Sequence, residues 1–62
     1  MEKEIEEKIK KFLKGRKEMA STLISEQIKE GYYKTLIALE GMAVTSDVIK
    51  IQKGHFTFWR LK

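Results

Sequence analysis

Cysteine, proline and asparagine are all absent from this chain of 62 residues. Without cysteine the chain forms no disulfide and offers no thiolate ligand to a metal. The sequence shows no other crosslink of the kind that stabilises small domains. A chain of this length buries only about 60% of the surface that its unfolded form exposes, so its core is small and leaves no room for a second domain. We therefore expect a single domain over residues 1–62, held by packing alone or by packing and dimerisation.

Long apolar runs are absent too. No segment approaches the roughly 18 apolar residues that a membrane span needs, and the amino terminus alternates glutamate with lysine, unlike a secretory signal. These two absences predict a cytoplasmic protein with no membrane partner.

Groups that perform chemistry are scarce. His55 is the only histidine, and it lies in a predicted turn with no neighbouring residue that would complete a metal site or a nucleophilic pair. The three serines have explanations as helix caps or turn residues, and no glycine-rich phosphate loop or paired acid motif is present. The sequence therefore predicts a protein that is not an enzyme and has no metal, cofactor or small-molecule substrate.

What the chain does have is charge. Its 13 basic and 9 acidic residues leave a net charge of +4, which permits a polyanionic partner such as nucleic acid without requiring one. Lysine and glutamate together make up 19 of the 62 residues, and this enrichment is typical of hyperthermophile proteins.

The amino-terminal third predicts one amphipathic helix from residue 2 to Lys14, which Gly15 ends. The apolar residues that share its face are Ile5, Ile9, Phe12 and Leu13. Part of this face is alternatively expected to meet the same helix of a second copy, because the core of a monomer is small. Residues 16–20 are poorly periodic, and we interpret them as a connector with a brief strand around Met19.

Two helices joined by a tight turn follow. Ser21 is a plausible N-cap for a helix that runs to about Lys29, and residues 29–31 form the turn. In the next helix, whose end is marked by Gly41 and the polar run Thr45-Ser46-Asp47, helical spacing predicts a buried stripe of Tyr32, Leu36, Leu39 and Ala43. The same spacing directs another set outward: Tyr33, Lys34, Ile37 and Glu40.

The last segment changes to the period of a β-hairpin with Lys53-Gly54 as its turn. If Gln52 pairs with His55 across the turn, Ile51 pairs with Phe56 and Ile49 pairs with Phe58. This pairing predicts one face with Ile49, Ile51, Phe56 and Phe58, and another with Val48, Trp59 and Leu61. The aromatic rings are suited to stacking on exposed bases, but we expect so small a core to need them inside.

This order of elements resembles the winged helix-turn-helix family. Leu23, Ile24 and Ile28 resemble its second helix, Tyr32, Leu36 and Leu39 the buried stripe of its recognition helix, and Phe58-Trp59-Arg60-Leu61 the close of its wing. The chain is similar to the small DNA-binding domains of this type in archaea and their viruses. The resemblance implies an α+β fold of three helices followed by a carboxy-terminal hairpin wing, with a brief strand between the first two helices.

The same resemblance implies a function as a small transcriptional regulator, most simply a homodimer, that binds double-stranded DNA. Its third helix would enter the major groove and its wing would reach the backbone. The implied DNA-binding residues are Arg16, Lys17, Tyr33, Lys34, Thr35, Lys50, Lys53 and His55.

The third helix departs from the family in two ways. Lys34 is the only cation on its exposed side, and Ile37 would sit outward. Winged helices also serve as protein-binding modules in transcription and replication machinery, where an outward apolar face is normal. The alternative function is therefore that of a protein-interaction module.

Overall fold

The structure is a computed structural model that describes residues 2–62, and of Glu2 the backbone only. Its elements are α1 (Glu2–Leu13), β1 (Met19–Ala20), α2 (Ser21–Ile28), α3 (Tyr32–Val44), β2 (Val48–Lys53) and β3 (Phe56–Leu61). The strands form one antiparallel sheet in the order β1-β3-β2. The predicted order of elements is confirmed, including the brief strand between the first two helices.

One core joins the three helices to the inner face of the sheet. Its buried apolar residues are Ile5, Ile9, Leu13, Ile24, Ile28, Ala38, Leu39, Met42, Val48 and Trp59. The Trp59 ring is fully buried, and its Nε1–H donates a hydrogen bond to the Ser21 hydroxyl at 2.6 Å. Ser21 is therefore not the N-cap that the sequence predicted. It is the first residue of α2 and supplies the acceptor that a buried indole requires.

α3 is rotated relative to the predicted orientation. Its buried residues are Thr35, Ala38, Leu39 and Met42, whereas Tyr32, predicted to be buried, is exposed. Apolar residues occur on every side of this helix, so helical spacing did not select one face. α3 continues past Gly41 and stops at Val44, directly before the polar run that the sequence predicted at its end. The Thr45 hydroxyl then donates to the Met42 carbonyl at 3.1 Å.

The hairpin turns one residue later than predicted. Lys53 pairs with Phe56, so the two turn residues are Gly54 and His55, and Gly54 takes a left-handed φ of 61° at the first turn position. Ile51 therefore pairs with Phe58, and the predicted pairing of Ile51 with Phe56 is wrong. The relative shift of the strands is two residues, an even number, so the predicted division of the hairpin into two faces is confirmed.

An ion pair connects α1 to the turn that precedes α3. The Lys8 ammonium lies 2.5 Å from a carboxylate oxygen of Glu30, and this hydrogen bond lowers the pKa of the Glu30 carboxyl. The pair stabilises the connection between these two segments most at pH values where the carboxylate is ionised.

Candidate nucleic-acid interface

α3 presents a continuous row of exposed residues on the side away from the core. This α3 outer stripe consists of Tyr33, Lys34, Ile37, Glu40, Gly41 and Val44. Tyr33 and Ile37 are 77% and 60% exposed, which confirms the outward position expected for both. The Tyr32 and Tyr33 rings form a T-shaped pair with a centroid distance of 5.5 Å, so two aromatic side chains lie at the start of the helix.

The first turn of α3 is open to an anion. Gly31 is its N-cap and has no side chain, so the amide groups of the first turn receive no side-chain cap. Lys34 lies within this turn, and Lys29 ends α2 just before it in a left-handed conformation with φ of 59°. Sequence reasoning did not include Lys29 in the site, although its place beside the start of α3 was a usable signal. Cations and free amide groups together favour a phosphate here.

Lys50 extends this surface onto the hairpin. It lies on the inner face of β2, with its ammonium 2.9 Å from a Glu40 carboxylate oxygen and 5.7 Å from the centre of the Trp59 ring. The hairpin and the α3 outer stripe therefore form one surface. The Glu40 carboxylate offsets the charge of Lys50 there, which leaves the surface only weakly positive.

Thr35 does not belong to this surface. The sequence placed it beside Tyr33 and Lys34 near the bases, but it is fully buried and its hydroxyl has no hydrogen-bond partner. The rotation of α3 turns this position into the core, where it cannot reach a nucleic-acid groove while the domain is folded.

Three more of the predicted residues meet elsewhere. Arg16, Lys17 and Lys53 line a cleft between the sheet and the loop that joins α1 to β1, together with Glu18, Arg60 and Leu61. We call this the cationic cleft. Lys53 forms an ion pair with Glu18, and the Arg16 guanidinium lies 4.5 Å from the centre of the Phe12 ring.

Sequence reasoning missed Arg60, whose position opposite Ile49 puts it on the same face as Lys53. The remaining predicted residue, His55, is exposed in the hairpin turn. The predicted site therefore divides between two surfaces, one formed by α3 and β2 and the other by the cationic cleft.

Residues 2–62 hold no group of three or more metal-ligating side chains. None of the helices in this part of the chain combines the length and the apolar character that a membrane crossing requires.

Comparison with solved structures identifies the fold. The chain superposes on the Zalpha domain of Carassius auratus PKZ, solved in complex with Z-DNA, with a TM-score of 0.86. The match covers 98% of this chain and 97% of that one at 20% sequence identity. This chain is therefore a winged-helix domain, as expected. Neither protein-family models nor curated protein sequences gave a match.

Proposed function

We propose that this winged helix binds double-stranded DNA through the α3 outer stripe and the adjoining hairpin. The observation that carries the proposal is the uncapped first turn of α3, exposed with Tyr33 and Lys34 beside the hairpin that carries Lys50. The similar Zalpha domain holds Z-DNA on the same fold, so a left-handed duplex belongs among the ligands to be tested. The net charge of +4 suits either form of duplex.

In this arrangement the start of α3 enters a groove of the duplex. Cations hold the phosphate backbone of the DNA on both sides of that groove. Lys29 and Lys34 approach phosphates from the helix side, and Lys50 does so from the hairpin. Tyr33 supplies a hydroxyl group and a flat ring at the base edges. Because few groups on this surface can read bases, the shape of the duplex contributes more to recognition than base contacts do. The role we propose is that of a small cytoplasmic transcriptional regulator.

Replacing Lys34 with glutamine is expected to weaken duplex binding and to reduce the slope of log K against log salt by about 1, because one phosphate contact is lost. The measurement is a titration of the whole chain with a mixed-sequence B-form duplex and an alternating dC-dG duplex held in the Z form, each at several salt concentrations. Amide shifts recorded in parallel by NMR locate the contact surface.

Lys11→Gln is the matched control, because Lys11 lies beside α2 rather than α3 and its loss should leave the slope unchanged. Equal slopes for Lys34→Gln and the unmodified chain, with the amides of residues 32–34 unmoved by either duplex, would refute binding through α3. A response to the dC-dG duplex alone would identify a left-handed duplex as the ligand.

A second candidate function, a protein-interaction module, is favoured by the apolar part of the α3 outer stripe. Ile37 and Val44 are 60% and 85% exposed on the same side of the helix.

The α3 outer stripe is also self-complementary. If a second copy of α3 lies antiparallel about Ile37, each Lys34 faces a Glu40 of the other copy, and each Tyr33 ring faces a Gly41. Apart from its chain neighbours and the adjacent backbone of α3, no atom lies within 4 Å of the Cβ position of Gly41, so there is space for the ring. The partner would then be a second copy of this chain.

Replacing Ile37 with aspartate distinguishes the two candidates. If α3 forms the homodimer, the unmodified chain is dimeric in analytical ultracentrifugation, Ile37→Asp is monomeric, and a duplex leaves the α3 amides of the dimer unmoved. If α3 binds a duplex, Ile37→Asp leaves the oligomeric state unchanged and weakens the duplex complex. The substitution places a negative charge in the middle of the stripe, one turn after Tyr33 and Lys34, where it repels the phosphates.

A further inference from the structure

The face of the sheet that points away from the helices takes no part in the proposed duplex interface. We call it the outer sheet face. The strand register assigns to it Ala20, Ile49, Ile51, Lys53, Phe56, Phe58 and Arg60. Three of these, Phe56, Phe58 and Arg60, alternate along the central strand β3, so that consecutive members lie about 6.8 Å apart. The middle of this face is thus a row of two phenyl rings and a guanidinium group.

The two phenyl rings lie outside the core. Phe56 is 67% exposed and Phe58 is half-buried, and neither belongs to the core cluster or packs against it. Ile49 and Ile51 are half-buried beside them on β2. The expectation that these rings are needed inside is correct for Trp59 and wrong for Phe56 and Phe58. The Phe56 ring is therefore open to a ligand, and the half-buried Phe58 ring is partly so.

Positive charge borders this row. The cationic cleft places Arg16, Lys17 and Lys53 next to Arg60, with Glu18 as the one acidic residue among its lining residues. The Lys53 ammonium lies 5.5 Å from the centre of the Phe58 ring, so cation and ring already share one surface. Aromatic rings next to cations form the combination that holds bases by stacking and phosphates by charge.

We propose that the outer sheet face binds a single strand of nucleic acid, independently of the duplex interface. Successive bases stack on Phe56 and Phe58, and the phosphates lie against Arg60, Lys17 and Arg16. Such stacking accepts any base, because every base has a π-face. The site is therefore expected to bind unpaired strands of any sequence. A base-paired duplex cannot use the rings, since its base faces are already stacked on one another.

The charge of this face argues against a second copy of the chain as its occupant. Two outer sheet faces packed against each other would bring Lys53 and Arg60 of both copies into one interface, and like charges in contact repel. A polyanion meets no such penalty.

The test compares two matched substitutions of exposed aromatic residues by leucine in the whole chain. Phe56→Leu removes a ring from the outer sheet face, and Tyr33→Leu removes one from α3. Binding of a fluorescein-labelled oligo-dT strand is measured by anisotropy at two salt concentrations, and binding of the duplexes is measured alongside. We expect Phe56→Leu to weaken single-strand binding about 5- to 100-fold and to leave duplex binding unchanged, because each stacked base contributes that much. Tyr33→Leu should weaken duplex binding and leave single-strand binding unchanged.

The outcomes separate this proposal from the duplex function. Single-strand affinity that is the same in Phe56→Leu and the unmodified chain overturns the stacking site, whatever the duplex result. A loss of duplex affinity in Tyr33→Leu alone would then leave the duplex function standing. If Phe56→Leu changes the oligomeric state and not the affinity for oligo-dT, the face binds a second copy and the proposal is wrong. If oligo-dT shifts the amides of β3 and no duplex shifts those of α3, the single-strand site stands without the duplex function.

Discussion

Replacing Trp59 with alanine is expected to lower the free energy of unfolding by about 3–5 kcal/mol, the usual cost of deleting a fully buried large ring. The indole fills the space between the sheet and the helices, and its N–H is satisfied by Ser21. A domain of this size has a total stability of only about 3–9 kcal/mol, so the variant should be largely unfolded or close to it. Chemical denaturation followed by circular dichroism measures the loss, because the substitution removes the only tryptophan as a fluorescent probe.

Phe56→Ala is the matched control for this prediction. It also deletes an aromatic ring from β3, but from a side chain that is 67% exposed, so the expected loss is within about 1 kcal/mol. Similar losses in the two variants would contradict the assignment of Trp59 to the core and Phe56 to the surface.

Replacing Thr35 with arginine is expected to destabilise the domain by several kcal/mol, because it forces a charge into a position with no access to water. The sequence-based prediction, which placed Thr35 at the DNA, implies instead that this added cation strengthens binding. Denaturation and a duplex titration on the same sample separate these two expectations. A folded Thr35→Arg variant with higher DNA affinity would show that the position faces outward.

Thr35→Val tests the same position with a substitution that the core accepts. Valine has nearly the same shape as threonine and removes a buried hydroxyl without a hydrogen-bond partner, so the expected gain in stability is about 1–2 kcal/mol. Duplex affinity should stay unchanged. A folded variant that lost this affinity would restore Thr35 to the interface.

The difference between α1 and α3 explains how far sequence could predict the helices. In α1 the apolar residues occupy one side only, and Ile5, Ile9 and Leu13 are buried as the spacing predicted. In α3 apolar residues surround the axis, so hydrophobic spacing allowed more than one rotation. The rotation that occurs buries a threonine, and a polar residue gives no periodic signal for burial.

The hairpin shows a similar boundary between what local sequence determines and what it does not. Alternation alone fixed which residues share a face, so Trp59 was correctly separated from Phe56 and Phe58. The turn was misplaced because Lys53-Gly54 and Gly54-His55 are both acceptable pairs and only the folded chain selects between them. Which face becomes the core depends on the helices, and this is why the exposure of Phe56 was not predicted.

The predicted site depended on contacts between distant parts of the chain. Met19 pairs with Trp59, and this pairing of β1 with β3 brings the loop that carries Arg16 and Lys17 next to Lys53 and Arg60. The spacing of residues along the sequence does not indicate such a contact between distant segments. The cations that the sequence assigned to one interface were therefore divided between two, and the binding role of each remains a prediction.

The strand order β1-β3-β2 also leaves the sheet with a long unpaired edge. β3 lies between its neighbours, so the six-residue β2 is an edge strand whose outer side pairs with no other strand among residues 2–62. An open edge of this length, next to exposed phenyl rings, is a template for aggregation between molecules. Lys50 and Lys53 interrupt this edge on opposite faces of the strand, and lysine on an edge strand opposes such pairing. We therefore expect the same two lysines to act as gatekeepers against fibril formation.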